Sequence, residues 1–223
     1  MQTAVGVELR GLRWAAGNAY ELGPDPLRVE PGAVGVVVAE PAAGDALADV
    51  VVGLRSPLRG TVSVDGSPVT RQPAGQRPVA LVPCGGGLLP HLTIERNIGF
   101  GLAGRVSRQA RLGRVSEVLA RLQLESLRRL RPHEISGVQR LGVAVARALC
   151  APVEPVAVVV EDRRGQFPCR AAVMTAAAQD LAVLVITDVS GQGAALGASA
   201  QAACRAVSAT PGGSCVPGGP AAM

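Results

Sequence analysis

Between positions 105 and 131 the chain carries eight arginines: Arg105, Arg108, Arg111, Arg114, Arg121, Arg128, Arg129 and Arg131. Guanidinium groups at that density suit a phosphate-binding face, and they suit equally the solvated side of an arginine-rich helix. Shortly after them comes Ser136-Gly137-Val138-Gln139. S-x-x-Q is the capping-box pattern, in which the serine and the glutamine satisfy each other's free backbone N–H groups at a helix start. A third feature is Glu161-Asp162, two carboxylates closing an apolar run beside Arg163 and Arg164. Two absences bound the chemistry further. All 22 basic residues are arginine, so any mechanism that needs a lysine is excluded. Trp14, Tyr20, Phe100 and Phe167 are the only aromatic residues, too few for base-stacking surfaces, so no nucleic-acid partner is expected. Cys84, Cys150, Cys169, Cys204 and Cys215 are odd in number and widely spaced, which gives neither a disulfide framework nor a metal knuckle.

Elements must hold these groups in place. The runs Ala33–Ala39, Val79–Val82, Val156–Val160 and Ala182–Thr187 are apolar without alternation and rich in β-branched residues. Such runs predict strands buried on both faces, as in a parallel sheet covered by helices. Thr61–Asp65 alternates, which predicts one solvated face, and it ends at the turn signal Asp65-Gly66. Val115, Val118, Leu119 and Leu122 recur at helical spacing. A second helix is expected from Val138 to about Leu149, with Val138, Leu141, Val145 and Leu149 on its apolar stripe. The order of strand, helix, helical insertion and strand predicts an α/β fold with a helical subdomain. A chain of 223 residues, 48% of them hydrophobic, is long enough for one large domain with a real core. No uncharged apolar run approaches the length of a membrane span, and Glu8, Arg10 and Arg13 interrupt the start. The expected location is therefore cytoplasmic, with any membrane attachment made through a partner.

Three segments in order resemble the ATP-binding cassette of ABC transporters. Val52-Gly53-Leu54 with Pro57 through Gly66 is similar to the stretch that follows the family's phosphate loop. Leu88-Leu89-Pro90-His91-Leu92-Thr93-Ile94 with Asn97 through Leu102 resembles a segment of importer-type cassettes. Pro132 through Arg140 with Val143–Leu149 resembles the family signature. The resemblance runs from about residue 27 to 190. It implies an α/β fold of the P-loop type, with a parallel core sheet and an inserted helical subdomain at about 88–140. The cassette-like domain is expected over 1–209, and a weakly ordered Ala/Gly/Pro/Ser tail over 210–223. It also implies ATP and Mg2+ as cofactors, a second cassette as partner in a homo- or heterodimer, and transmembrane permease subunits at the inner face of the cell membrane.

The site positions depart from the family pattern. A phosphate loop needs glycines so that backbone N–H groups close around phosphates, a lysine for the β- and γ-phosphates, and a hydroxyl for magnesium. Counted back from Val52-Gly53-Leu54, the matching stretch includes Glu40, Pro41, Ala42, Ala43, Gly44, Asp45 and Ala46. Gly44 falls at the lysine position and Asp45 at the hydroxyl; a one-residue gap puts Asp45 at the lysine. Asp45 is expected to cap a helix Asp45–Val52 and fill the anion site with the protein's own carboxylate. By the same resemblance Cys84 stands for the glutamine that watches magnesium and water, with a small buried apolar residue as the plainer reading. Glu161 is the candidate metal ligand and Asp162 the candidate catalytic base; two solvated acids are the alternative. Asp188 stands for the switch histidine, and Gly165-Gln166-Phe167-Pro168 lacks the family's aspartate. Trp14 is the candidate for adenine stacking, a core or surface aromatic being the alternative. Ser136, Gly137 and Gln139 are what remains of the signature, whose second glycine is replaced by Val138; they either face a partner's ATP or act as a plain helix cap. The implied ATPase is therefore expected to be inactive or very weak at its own site.

Overall fold

The computed structural model describes residues 6–163, 169–190 and 198–207. The tail expected over 210–223 and the segment Gly165–Pro168 lie outside them. The described chain begins with antiparallel strands β1 (Val7–Ala16), β2 (Asn18–Leu22) and β3 (Leu27–Val29). Then come β4 (Val34–Val38), helix α1 (Pro41–Val52), the hairpin β5 (Arg59–Val64) and β6 (Ser67–Pro68), and β7 (Val79–Val82). Helices α2 (Ile94–Ile98), α3 (Arg108–Arg121) and α4 (Gly137–Leu149) form the insertion. The chain returns through β8 (Ala157–Asp162), α5 (Cys169–Ala177), β9 (Ala182–Thr187) and β10 (Ala200–Val207).

These strands form one sheet in the order β6-β5-β1-β2-β10-β4-β9-β8-β7, with β3 also paired to β1. Strands β10, β4, β9, β8 and β7 run parallel. The β1–β3, β5 and β6 strands pair antiparallel, and β10 joins the two halves by pairing antiparallel with β2. All four continuous apolar runs are strands of the parallel half. Their alternate side chains enter two cores, one on each face. Val158, Val160, Val183 and Val185 meet α2, α3, α4 and α5. Val159, Leu184 and Ile186 meet α1 and the antiparallel strands. Burial on both faces is why these strands carry no polar alternation. Thr61–Asp65 alternates as expected, with Val62 and Val64 buried. It turns at Asp65 and Gly66, both at positive φ, 47° and 73°, the geometry of a tight hairpin turn.

Two buried polar side chains brace the elements next to the site. Arg77 is 4% exposed. Its guanidinium donates to the carbonyls of Val50, Val51, Gln72 and Thr70 at 2.7–2.9 Å, satisfying the last carbonyls of α1. Asn97 is fully buried. It accepts from the Leu89 N–H at 2.8 Å and donates to the Leu89, Leu92 and Thr93 carbonyls, which fixes the Leu89–Thr93 turn to the start of α2.

Candidate functional site

Helix α1 sets the geometry of the site, and its start differs from the sequence expectation. Asp45 does not cap it. The helix begins four residues earlier at Pro41, after Glu40, which makes no side-chain capping bond. Proline at the first helical position brings a preset φ and lacks only an N–H that would be unsatisfied anyway. Ala42 and Ala43 then continue as good helix formers. The Gly44 N–H donates to the Glu40 carbonyl at 2.8 Å, and the Ala39 N–H donates to the Thr187 carbonyl at 2.9 Å. The matched stretch is thus a two-residue link, Ala39-Glu40, followed by a helix. In this geometry only the N–H groups of Ala42 and Ala43 are left in the first turn for an anion.

Gly44 faces inward. It is buried, and a Cβ built on it would lie 3.1 Å from Ile186 Cγ2. Ala43 and Ala46 are also core residues. Asp45 points to the strand ends, where its carboxylate pairs with the Arg163 guanidinium. Around that pair gather Glu40, Glu161, Asp162, Thr187 and Asp188, lining a half-open depression of about 10 Å3, close to the volume that one water needs.

Glu161 and Asp162 are adjacent on β8, so their side chains leave opposite faces of the strand. Asp162 is buried and Glu161 half-buried, which sets aside the picture of two freely solvated acids. The Glu161 carboxylate accepts the Cys84 N–H at 3.2 Å. Burial pushes its pKa up, against the opposing effect of that bond; the charge of Asp49 adds to the rise. Cys84 is a half-buried free thiol at the start of a short turn with Gly85 and Gly86. Arg147 on α4 donates to the Gly86 and Gly87 carbonyls at 2.9 and 2.7 Å and so holds this turn beside β8. Asp188 is partly exposed just past β9.

Trp14 offers no face to a base. Its side chain is 0% exposed, its ring stacks on Tyr20 at 6.4 Å between centroids, and its Nε1–H donates to the Ala43 carbonyl at 2.9 Å. The core alternative is therefore the one observed. Tyr20 in turn donates its hydroxyl to the Glu40 carboxylate at 3.0 Å, a bond that raises the tyrosine pKa. Two aromatic side chains of the β1–β2 hairpin thus grip the start of α1. Neither contact was legible from spacing, because both depend on how the hairpin lies over the helix.

Ser136 and Gln139 form the capping box that their spacing predicts. Ser136 Oγ accepts the Gln139 N–H at 3.2 Å, and Gln139 Oε1 accepts the Ser136 N–H at 2.8 Å. Ser136 and Gln139 are exposed and Gly137 is partly so. Val138 departs from its expected place: it is 45% exposed, because the first turn of α4 projects beyond the core that Leu141, Val145 and Leu149 reach.

The set around α1 does not fit a magnesium-bound triphosphate. The glycine-loop donors are replaced by helix, Pro41 lacks an N–H, and the nearest cation is engaged by Asp45. Among the described residues no group of three or more His, Cys, Asp or Glu is placed to hold a metal ion. Nor is any described helix long and apolar enough to cross a membrane.

Comparison with known proteins identifies the family. The family model described as ABC transporter matches residues 26–155. The Fe(3+) ions import ATP-binding protein FbpC of Yersinia pestis bv. Antiqua is 35% identical over 142 residues, 61% of this chain and 40% of that protein. The molybdate/tungstate import ATP-binding protein WtpC of Pyrococcus abyssi is 34% identical over 117 residues, 52% of this chain and 33% of that protein. The chain therefore spans two-fifths or less of the length of these relatives. The structure of cbiO1 from Clostridium perfringens, part of the ABC transporter complex cbiONQ, aligns with a TM-score of 0.63 at 16% identity, covering 82% of this chain and 78% of that one. At that identity the likeness is one of fold.

Proposed function

The chain belongs to the ABC transporter family, and we propose that it is the ATP-binding-cassette subunit of an importer whose own ATPase site is degenerate. In this reading it works in a cassette dimer under transmembrane permease subunits, on the cytoplasmic side of the membrane. It contributes its signature, not its own site, to ATP chemistry. The observation that carries the reading is the contrast between two helix starts. The first turn of α1 opens on a proline, keeps free N–H groups only at Ala42 and Ala43, and has the carboxylates of Glu40 and Asp45 beside it, whereas the capping box at the start of α4 is intact and exposed, with no acid in its first turn. The Gly137 and Val138 N–H groups, which the capping box leaves unused, are suited to an anion brought by another molecule, here ATP held by a partner cassette. Ser136 supplies a hydroxyl and Gly137 permits close approach.

The test is ATPase activity of the complex reconstituted with an intact partner cassette. Ser136→Ala and Ser136→Asn should both lower turnover at least tenfold. The asparagine variant keeps the helix cap, so its effect reports contact with ATP and not cap loss. Asp162→Asn should leave turnover within about twofold. Loss of turnover on Asp162→Asn alone, with both Ser136 variants active, would assign catalysis to this chain's own site.

A second reading is a silent structural or regulatory partner that binds no ATP. The small space beside Asp45 and Arg163 favours it. Under this reading neither set of substitutions changes turnover.

A further inference from the structure

At the opposite end of α1, between Gly53 and the β5–β6 hairpin, lies an open cleft of about 550 Å3. Arg55, Arg59, Arg71 and Arg77 wall it, with Thr70 and Gln72 beside them, and no carboxylate is in its lining. Arg77 is the built part. It is 4% exposed and held rigid by its bonds to four backbone carbonyls. Its charge meets carbonyl dipoles and the negative end of α1, but no carboxylate ion pair among the described residues. Burial without an opposite charge pulls its pKa down.

The three other arginines are exposed. Arg55 reaches Asp49 only at 3.7 Å and donates to the Ala15 carbonyl at 3.0 Å. Arg59 pairs with Glu21 at 3.2 Å. Arg71 has no carboxylate within ion-pair distance among the described residues. Three exposed cations thus share the mouth of one cleft, with Arg77 buried behind them and its N–H groups given to backbone carbonyls, and the two acids lie outside the lining. Planar guanidinium forks match the oxygens of phosphate groups, and the volume lies in the range of small-molecule sites.

We propose that this cleft binds a small polyvalent oxyanion of the phosphate class. The site is independent of the nucleotide-type site, from which the 12 residues of α1 separate it by roughly 18 Å. The test is an equilibrium titration of the full chain with inorganic pyrophosphate by calorimetry, at low and at moderate salt. Saturable binding is expected, weakening as salt screens the charges. Arg71→Ala and Arg59→Gln should each weaken it tenfold or more. Asp45→Asn, at the other end of α1, and Arg121→Ala, on α3, should leave it within about twofold. Arg77 is left intact because its loss would unfold the helix end. Absence of saturable binding at millimolar pyrophosphate would overturn the proposal. So would an affinity that Asp45→Asn changes and Arg71→Ala does not, which places the anion at the start of α1. Equal weakening by Arg121→Ala would reduce the effect to net charge and overturn it as well.

Discussion

Trp14 is the only tryptophan in the chain, which makes its environment directly observable. Its ring is enclosed by the antiparallel strands and α1, and its Nε1–H is used by the Ala43 carbonyl. Its fluorescence should therefore be blue-shifted relative to free tryptophan, resist quenching by iodide, and stay unchanged when Mg-ATP is added. Emission at the free-tryptophan position, or quenching by nucleotide, would return the ring to the role of an adenine platform. Trp14 also shows why residue-level reading of the site is limited. The sequence supplies an aromatic before the matched stretch, but only the bend of β1 decides which way it faces. That bend lies at Gly11, with φ 54°, where the pairing with β5 shifts register between Arg10 and Arg13. Gly60 sits against it with φ 90°, and a Cβ there would meet the Gly11 carbonyl oxygen at 2.4 Å. The bulge breaks the period-2 pattern of Val7, Leu9, Leu12 and Trp14, so β1 was not legible as an alternating strand.

At the scale of elements, α1 is where the chain departs furthest from the phosphate-loop pattern that the resemblance implies. Its first turn extends through Pro41-Ala42-Ala43, and Gly44 packs on Ile186. Gly44→Lys, the single change that would restore a missing lysine in the ungapped register, should therefore fail to restore nucleotide binding. Helix propensity favours the lysine by roughly 0.7 kcal/mol. A Cβ at 3.1 Å from Ile186 Cγ2 opposes it with an overpacking cost of about 1–3 kcal/mol, so the packing term decides. The variant should unfold at lower urea than the wild type. An unchanged midpoint together with new Mg-ATP binding would show that the side chain at 44 finds the phosphate site after all. Helix α4 is the opposite case, since its start was legible from four residues and its capping bonds form as the spacing requires. The parallel strands were legible for a comparable reason: burial on both faces leaves a continuous apolar run in the sequence. Strand β10 was not, because Ala200–Val207 (AQAACRAV) has little strand propensity of its own and is held by pairing with β2 and β4. The start of α1 was less legible, because Asp45 offers capping chemistry in the sequence while the proline four residues earlier begins the helix.

Across the whole molecule, the sheet has the family's architecture, and in the reading proposed above the chain's own side chains occupy the end of it that would cradle phosphate. Strand ends β4, β8 and β9 converge there with α1. Asp45 pairs with Arg163 there, while Tyr20–Glu40 and Trp14–Ala43 tie the first turn of α1 to the β1–β2 hairpin. The Asp45–Arg163 pair is half exposed on both sides and contributes about 1 kcal/mol at most, so it cannot by itself exclude nucleotide. The helical first turn and the missing loop donors do more, because each lost charge-assisted contact to a phosphate is worth roughly 1.5–3 kcal/mol. The measurement that tests this most directly is an equilibrium titration of the purified chain with Mg-ATP, paired with a steady-state hydrolysis assay on the same sample. The account predicts affinity no better than high micromolar and no turnover above background. Low-micromolar binding with steady hydrolysis would contradict it.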